Sequence, residues 1–250
     1  MACLSWTFHS PSLRMATHAF VVLPEYPAQP QNTLILLHGL SGACDTWNRR
    51  TSIERYAQKH NLAVIMPEVQ RSWYTDMVYG LPYFTFITDE LPRLAANTLR
   101  VPVDPAHLYV GGLSMGGYGA LKCVLTYPER YAGCISLSAR CSVQNKLKLI
   151  ENDPGQIREW QAILGEDLTV KPENDLYALL ARIQKPAASP RFYVACGTED
   201  FLLEQNREFH RYLTAIEVPH VYLESKGSHD MVFWNEYTLK FVEMMFGENN

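Results

Sequence analysis

The chain has 250 residues, 47% of them apolar, and a net charge of −4; it is long enough for one domain with a large core, and no basic run suits nucleic acid or an anionic membrane surface. No apolar run reaches the ~18 residues of a membrane span, and the N-terminal residues lack the basic start and apolar stretch of a secretory signal. The six cysteines (Cys3, Cys44, Cys123, Cys134, Cys141 and Cys196) show no C-x-x-C spacing and several fall within predicted strands or helices, so reduced core thiols and a cytoplasmic protein are expected.

Residues 4–8 and 17–23 alternate in polarity and predict two antiparallel strands, joined by a turn at Ser10-Pro-Ser. A proline-rich connection over 24–31 leads to 33–38, a continuous apolar run that suits a strand buried on both faces. It ends at Gly39, and a loop runs from there through Trp47. Residues 53–60 read as helix and 62–67 as a second buried strand, followed by an aromatic loop over 68–82. Residues 83–99 predict a helix with a kink or break at Pro92, which has no N–H to donate. After a central strand and its helix, 131–138 read as strand. Residues 140–188 are richer in charge, with short helical patterns at 156–164 and 175–183. Following a strand's C-terminal end, they suit either a partial cap over a site or a surface excursion. Strands at 191–196 and 220–224 then alternate with helices at 203–216 and 231–246. The expectation is an α/β fold: a mostly parallel sheet with antiparallel N-terminal edge strands and helices on both faces, in one domain spanning 1–250.

The central stretch, residues 108–121, carries the chemistry. It opens as a strand, passes through Gly112-Leu-Ser114-Met-Gly116 and continues as a small-residue helix. This is the G-x-S-x-G pattern of a nucleophile elbow. A serine on so sharp a turn takes strained backbone angles, and glycines two residues either side remove Cβ atoms that would collide. The helix N-terminus behind Ser114 favours developing negative charge.

Serine needs a base to take its proton, and that base needs an orienting carboxylate. On this type of scaffold the chain order is Ser, acid, His. Of the histidines after Ser114, His210 falls mid-helix and His220 at a strand start, whereas His229 lies in a loop directly after the last strand. His229 is therefore the expected base. Glu199 and Asp200 both follow the strand ending at Cys196; Asp200 is the expected acid, with N-capping of the next helix as its alternative role. Asp230 is expected to cap the closing helix. The backbone N–H groups of Met115 and Leu40 are the expected oxyanion donors. Trp47, Trp73 and Tyr74 suit either a substrate pocket or the core. Histidines and cysteines show no metal-ligand spacing, and no nucleotide-binding glycine motif occurs, so no metal or cofactor is expected.

With these residues placed, the chain resembles the esterase D / S-formylglutathione hydrolase group of α/β-hydrolases, and within it the small bacterial tributyrin esterases. The matching segments are LLHGLSG at 36–42, WYTD at 73–76, GLSMGGYG at 112–119, GTEDFL at 197–202 and SHD at 228–230. The resemblance implies a Ser114–His229–Asp200 triad, oxyanion amides at Leu40 and Met115, short-chain acyl esters as substrates, and a homo-oligomer, dimer or tetramer. Two positions depart from formylglutathione hydrolases: Gly42 stands where a cysteine is common, with Cys44 two residues on, and the loop at 71–76 is short. Both favour a general serine carboxylesterase over a glutathione thioester hydrolase. A sugar-ester deacetylase, an acyltransferase with the same triad and a non-catalytic binding protein are the alternatives.

Overall fold

The computed structural model of the chain describes residues 1–26, 29–183 and 191–247. Its strands are β1 (Ala2–Ser10), β2 (Met15–Leu23), β3 (Asn32–Leu37), β4 (Leu62–Pro67), β5 (Leu108–Leu113), β6 (Gly133–Leu137), β7 (Arg191–Gly197) and β8 (His220–Ser225). The helices are α1 (Thr46–Arg50), α2 (Ile53–Lys59), α3 (Tyr83–Thr85), α4 (Leu91–Leu99), α5 (Met115–Thr126), α6 (Val143–Leu149), α7 (Pro154–Leu164), α8 (Leu176–Leu180), α9 (Leu203–Ala215) and α10 (Met231–Phe246).

The strands form one eight-stranded sheet in the order β1-β2-β4-β3-β5-β6-β7-β8. β1, β2 and β4 pair antiparallel, and every pairing from β4 through β3 to β8 is parallel. Neighbours β3 and β5 matter most. The chain leaves β3 toward β4 on one side, and leaves β5 toward β6 on the other. Their onward helices also take opposite faces: α1 and α2 join one apolar cluster and α5 the other. Connections diverging from adjacent parallel strands leave a crevice at the strands' C-terminal ends, where ligands bind in open α/β sheets.

Strand alternation builds both cores. In β3, Leu34 and Leu36 face the cluster of α1, α2 and α10, while Ile35 and Leu37 face the cluster of α4, α5 and α9. In β4, Leu62, Val64 and Met66 face the first, and Ala63 and Ile65 the second. Burial on both faces is why these strands read as unbroken apolar runs. Short polar side chains start the later helices: Asp153 accepts from the Gly155 and Gln156 N–H groups, Asp175 from Tyr177, and Asp230 from Val232 and Phe233.

Two expectations change in detail. The chain does not break at Pro92: α3 runs into a π-helical turn, Phe86–Glu90, and then into α4, with Pro92 in its first turn. Pro92 cannot donate to the Thr88 carbonyl, and Arg130 Nη1 donates to that oxygen instead, at 3.2 Å. Residues 143–183 are also less of an excursion than their charge suggests. Trp160, Ile163, Leu164, Leu176, Leu179 and Leu180 are buried in the main core. Arg71 pairs with Glu159 at 2.7 Å, and the Val78 N–H donates to the Ile163 carbonyl, so this segment flanks the aromatic loop. Residues 184–188 of the expected cap lie outside the described residues.

The fully buried Lys122 of α5 ties these parts together. Its ammonium donates to the Tyr74 carbonyl, Thr75 Oγ1 and Asn174 Oδ1 at 2.7–3.1 Å, and burial pushes its pKa down to about 8.

A Cβ at Gly116 would lie 2.3 Å from the Leu37 carbonyl oxygen and 2.8 Å from that of His38. Glycine to alanine ordinarily stabilises a helix. Gly116→Ala is expected to do the reverse, lowering unfolding free energy by about 2–4 kcal/mol. Denaturant titration checks this, and an unchanged or raised midpoint contradicts it.

Candidate active site

Ser114 joins β5 to α5 with φ 53° and ψ −113°, a backbone conformation that a side-chain-bearing residue rarely adopts. Three features hold it there. Its N–H donates to the Leu137 carbonyl at 2.8 Å, and its carbonyl accepts from the Tyr118 N–H at 3.1 Å. Gly112 and Gly116 approach so closely that a Cβ on Gly112 would lie 2.4 Å from the Gly116 oxygen.

The acid and the histidine come from loops after β7 and β8, and these loops are knitted to each other. The Thr198 N–H donates to the Ser225 carbonyl at 2.8 Å and the Glu199 N–H to the Gly227 carbonyl at 2.9 Å. Gly197 permits this approach, since a Cβ there would lie 2.2 Å from the Gly227 oxygen. Asp230 caps α10 and anchors the far side of the histidine loop.

Ser114, His229 and Asp200, the residues singled out from the sequence, lie within hydrogen-bonding distance in a line. His229 Nε2 is 3.0 Å from Ser114 Oγ, and His229 Nδ1 is 2.8 Å from Asp200 Oδ2. With Nδ1–H donating to the carboxylate, Nε2 is free to accept from the hydroxyl. The imidazole is 19% exposed, whereas the Asp200 side chain is fully buried, so the relay has one wet end and one dry end. Phe201 lies 4.5 Å from the His229 ring, and Trp234 meets it edge-on at 4.8 Å. Trp234 is itself fixed by donating Nε1–H to Ser138 Oγ at 3.0 Å.

Burial pushes the Asp200 carboxyl up. Hydrogen bonding from His229 and the Leu202 N–H, the imidazole's charge and the Ser138 hydroxyl outweigh it and hold the group below the usual carboxylate range. Glu199, the other acid considered, is exposed and takes no part in the chain of hydrogen bonds.

Leu40 stands at the rim of the same cleft as Ser114, and Met115 opens α5. Among the described residues neither backbone N–H has an acceptor. The sequence placed His38 at the strand end before this loop without giving its side chain a role, and it orients the first of them. Buried to 1% exposure, its Nδ1–H donates to the Gly39 carbonyl at 2.8 Å, and its Nε2 accepts from the Val69 N–H at 3.3 Å. Glu68 Oε1 also lies 3.5 Å from that Nε2. The Gly42 N–H also donates to the Gly39 oxygen, at 2.9 Å. With that carbonyl fixed, the trans peptide points the Leu40 N–H the opposite way.

The relay opens into a cleft of about 890 Å³ whose walls include Leu40, Trp73, Arg140, Phe201 and Trp234. Of the three aromatic residues considered for a pocket, Trp73 lines it. Trp47 and Tyr74 do not. Trp47 is fully buried in the core beneath β3, donating Nε1–H to the Leu37 carbonyl at 3.0 Å. Tyr74 is fully buried and donates its hydroxyl to the His38 carbonyl at 2.7 Å. Both therefore support the loop that carries Leu40 instead of meeting substrate. Consecutive positive φ angles at Trp73 and Tyr74, 52° and 50°, turn one ring outward to the cleft and one inward, which alternation in sequence does not reveal.

One trio could offer metal donors: His18, Cys44 and Glu68 place ligand atoms within 4.8 Å of one another. They are too far apart in sequence for spacing to show it. Burial, then the charges of Glu68 and Asp45, push the Cys44 thiol up to about 11. Glu68 is already engaged by the Cys44 and Gln70 N–H groups. A protonated thiol and an occupied carboxylate form a poor metal cradle.

The sheet order, the serine elbow and the loops after β7 and β8 define an α/β-hydrolase fold carrying a Ser-His-Asp constellation. Residues 10–244 match the family model described as "Putative esterase", and the chain belongs to this esterase family. It is 29% identical to the acetyl esterase of Caldicellulosiruptor saccharolyticus, over 98% of both chains. Among solved structures it is 35% identical to the substrate-bound fluorophosphonate-binding serine hydrolase FphF of Staphylococcus aureus, with a TM-score of 0.89 over 98% of each chain. The S-formylglutathione hydrolase FrmB of the same organism matches with 35% identity and a TM-score of 0.86, again over 98% of each. The protein is a carboxylic ester hydrolase of the esterase D group. No helix among the described residues is long and apolar enough to cross a membrane.

A depressed carboxyl stabilises the fold above its unfolded pKa, about 3.9 for aspartate, and that contribution is lost as pH falls through the folded value. Asp200→Asn removes the titrating group. Between about pH 5 and 3 its melting temperature should fall less than that of the wild type. Parallel curves would contradict the assignment of the shift to this residue.

Proposed function

We propose that the protein is a serine carboxylesterase acting on short-chain acyl esters, with Ser114, His229 and Asp200 as its catalytic triad. The observation that carries this is the unbroken hydrogen-bonded line from Ser114 Oγ through the imidazole to Asp200, at 3.0 and 2.8 Å, opening into the cleft.

Ser114 Oγ attacks the ester carbonyl as His229 Nε2 takes its proton, and the Leu40 and Met115 N–H groups receive the oxyanion. Asp200 holds the tautomer and stabilises the imidazolium. His229 then returns the proton to the leaving alcohol as the C–O bond breaks. A water attacks the acyl-enzyme by the same route in reverse and releases the acid and free Ser114. No step calls on a cofactor. The acetyl esterase relative supports small acyl groups. The free thiols Cys44, Cys123, Cys134, Cys141 and Cys196, all buried, support a reducing compartment such as the cytoplasm.

A second reading, hydrolysis of S-formylglutathione, is favoured by the likeness to FrmB. The same residues would serve, with a thiolate leaving group. A panel of acyl esters of increasing chain length, with S-formylglutathione included, ranks the two by kcat/KM.

Ser114→Ala should lower kcat/KM for a short-chain para-nitrophenyl ester by about a thousandfold or more. Retention of near-full turnover would contradict the assignment.

A further inference from the structure

Arg140 follows β6, and its N–H donates to the Ser114 carbonyl at 3.4 Å. Its side chain lines the cleft that holds Ser114 and His229, yet the residue is only 8% exposed. Among the described residues no carboxylate lies within ion-pair distance of its guanidinium, and Nη1 is sealed from solvent without a hydrogen-bond partner. The other basic side chains around the cleft differ. Arg49 is paired with Asp45, Lys146 donates to Gln156 at 2.6 Å, and Arg50 is exposed to solvent. The Asp200 charge acts on Arg140 electrostatically, but its two oxygens already accept from His229 and the Leu202 N–H. What faces the guanidinium is the Phe201 ring, 6.0 Å away, which in turn lies 4.5 Å from the His229 imidazole.

A buried guanidinium without a counter-charge is destabilising, because it has given up water and gained no partner. Such a group beside a reactive serine is explained by a ligand that completes it. We propose that Arg140 is a specificity-determining residue that binds an anionic group, a carboxylate in particular, carried by the ester substrate. The substrate class is thereby narrowed to short esters bearing a negative charge on the acyl or the alcohol part. Arginine suits the role because its fork meets a carboxylate with two parallel hydrogen bonds. Lys146, which also lines the cleft, adds a second positive charge. The inference rests on the serine esterase reading and deepens it.

Two matched pairs of substrates test it. Mono-para-nitrophenyl glutarate against para-nitrophenyl butyrate places the carboxylate on the acyl side. Para-acetoxybenzoate against its methyl ester places it on the alcohol side. In the wild type, the charged member of one pair should be preferred by roughly tenfold or more in kcat/KM, mainly through KM, as one charge-assisted hydrogen bond implies. Arg140→Gln should abolish most of that ratio, and Arg140→Lys should recover part of it. Arg140→Met should melt no lower than the wild type, since it removes an unpaired buried charge. Glutarate alone should raise the melting temperature of the wild type but not of Arg140→Gln, a readout that needs no turnover. A wild type that hydrolyses none of the four esters overturns the esterase reading, while the glutarate shift still reports on the anion site. Preference in neither pair, a ratio unchanged in Arg140→Gln, or a marked fall in melting temperature for Arg140→Met overturns the proposal.

Discussion

One backbone conformation carries the rest of the site: Ser114 held at positive φ between β5 and α5. Residues kept in such regions typically cost about 1–3 kcal/mol and persist only where the surroundings over-determine them. Here they do. β5 is paired in parallel on both sides, the Ser114 N–H is tied to β6, and α5 is buried along almost its whole length. The helix passes so close to β3 that only glycine fits at 116. A turn this sharp projects the hydroxyl beyond the C-terminal edge of the sheet, with the start of α5 behind it.

The histidine and its acid are held by a different device. Two loops from neighbouring strands are hydrogen-bonded to each other before either meets the serine. Asp200 is thereby buried at the root of the pair, and His229 reaches out over Ser114 between Phe201 and Trp234. The Leu40 side uses a third device, a buried His38 that fixes the Gly39 carbonyl and so turns the Leu40 N–H the opposite way. Each is a rigid feature of the sheet edge, which is why the site needs little reorganisation to receive charge. Arg140 is the exception, a buried cation with no counter-charge paired to it among the described residues.

Much of this was legible in the sequence. The unbroken apolar runs at 33–38 and 62–67 announced strands buried on two faces. The glycines around Ser114 announced the elbow, and the order of serine, acid and histidine selected Asp200 and His229 from several candidates. What escaped depended on distance in three dimensions. Trp47 and Tyr74 look like pocket aromatics until the core closes over them. The Thr88 carbonyl in the π-helical turn before Pro92 finds its donor in Arg130, far along the chain. The roles of His38 and Arg140 follow from which polar atoms are satisfied and which are not, and that pattern has no local signature.

If Ser114 is the nucleophile, its hydroxyl becomes covalently acylated during turnover. Mixing the wild type with an ester whose acyl-enzyme turns over slowly, quenching in acid and measuring intact and peptide masses tests it directly. One added acyl group per chain, mapped to Ser114, is expected. An adduct on another residue, or hydrolysis that proceeds with no trapped acyl group under conditions where acylation outpaces release, would contradict it.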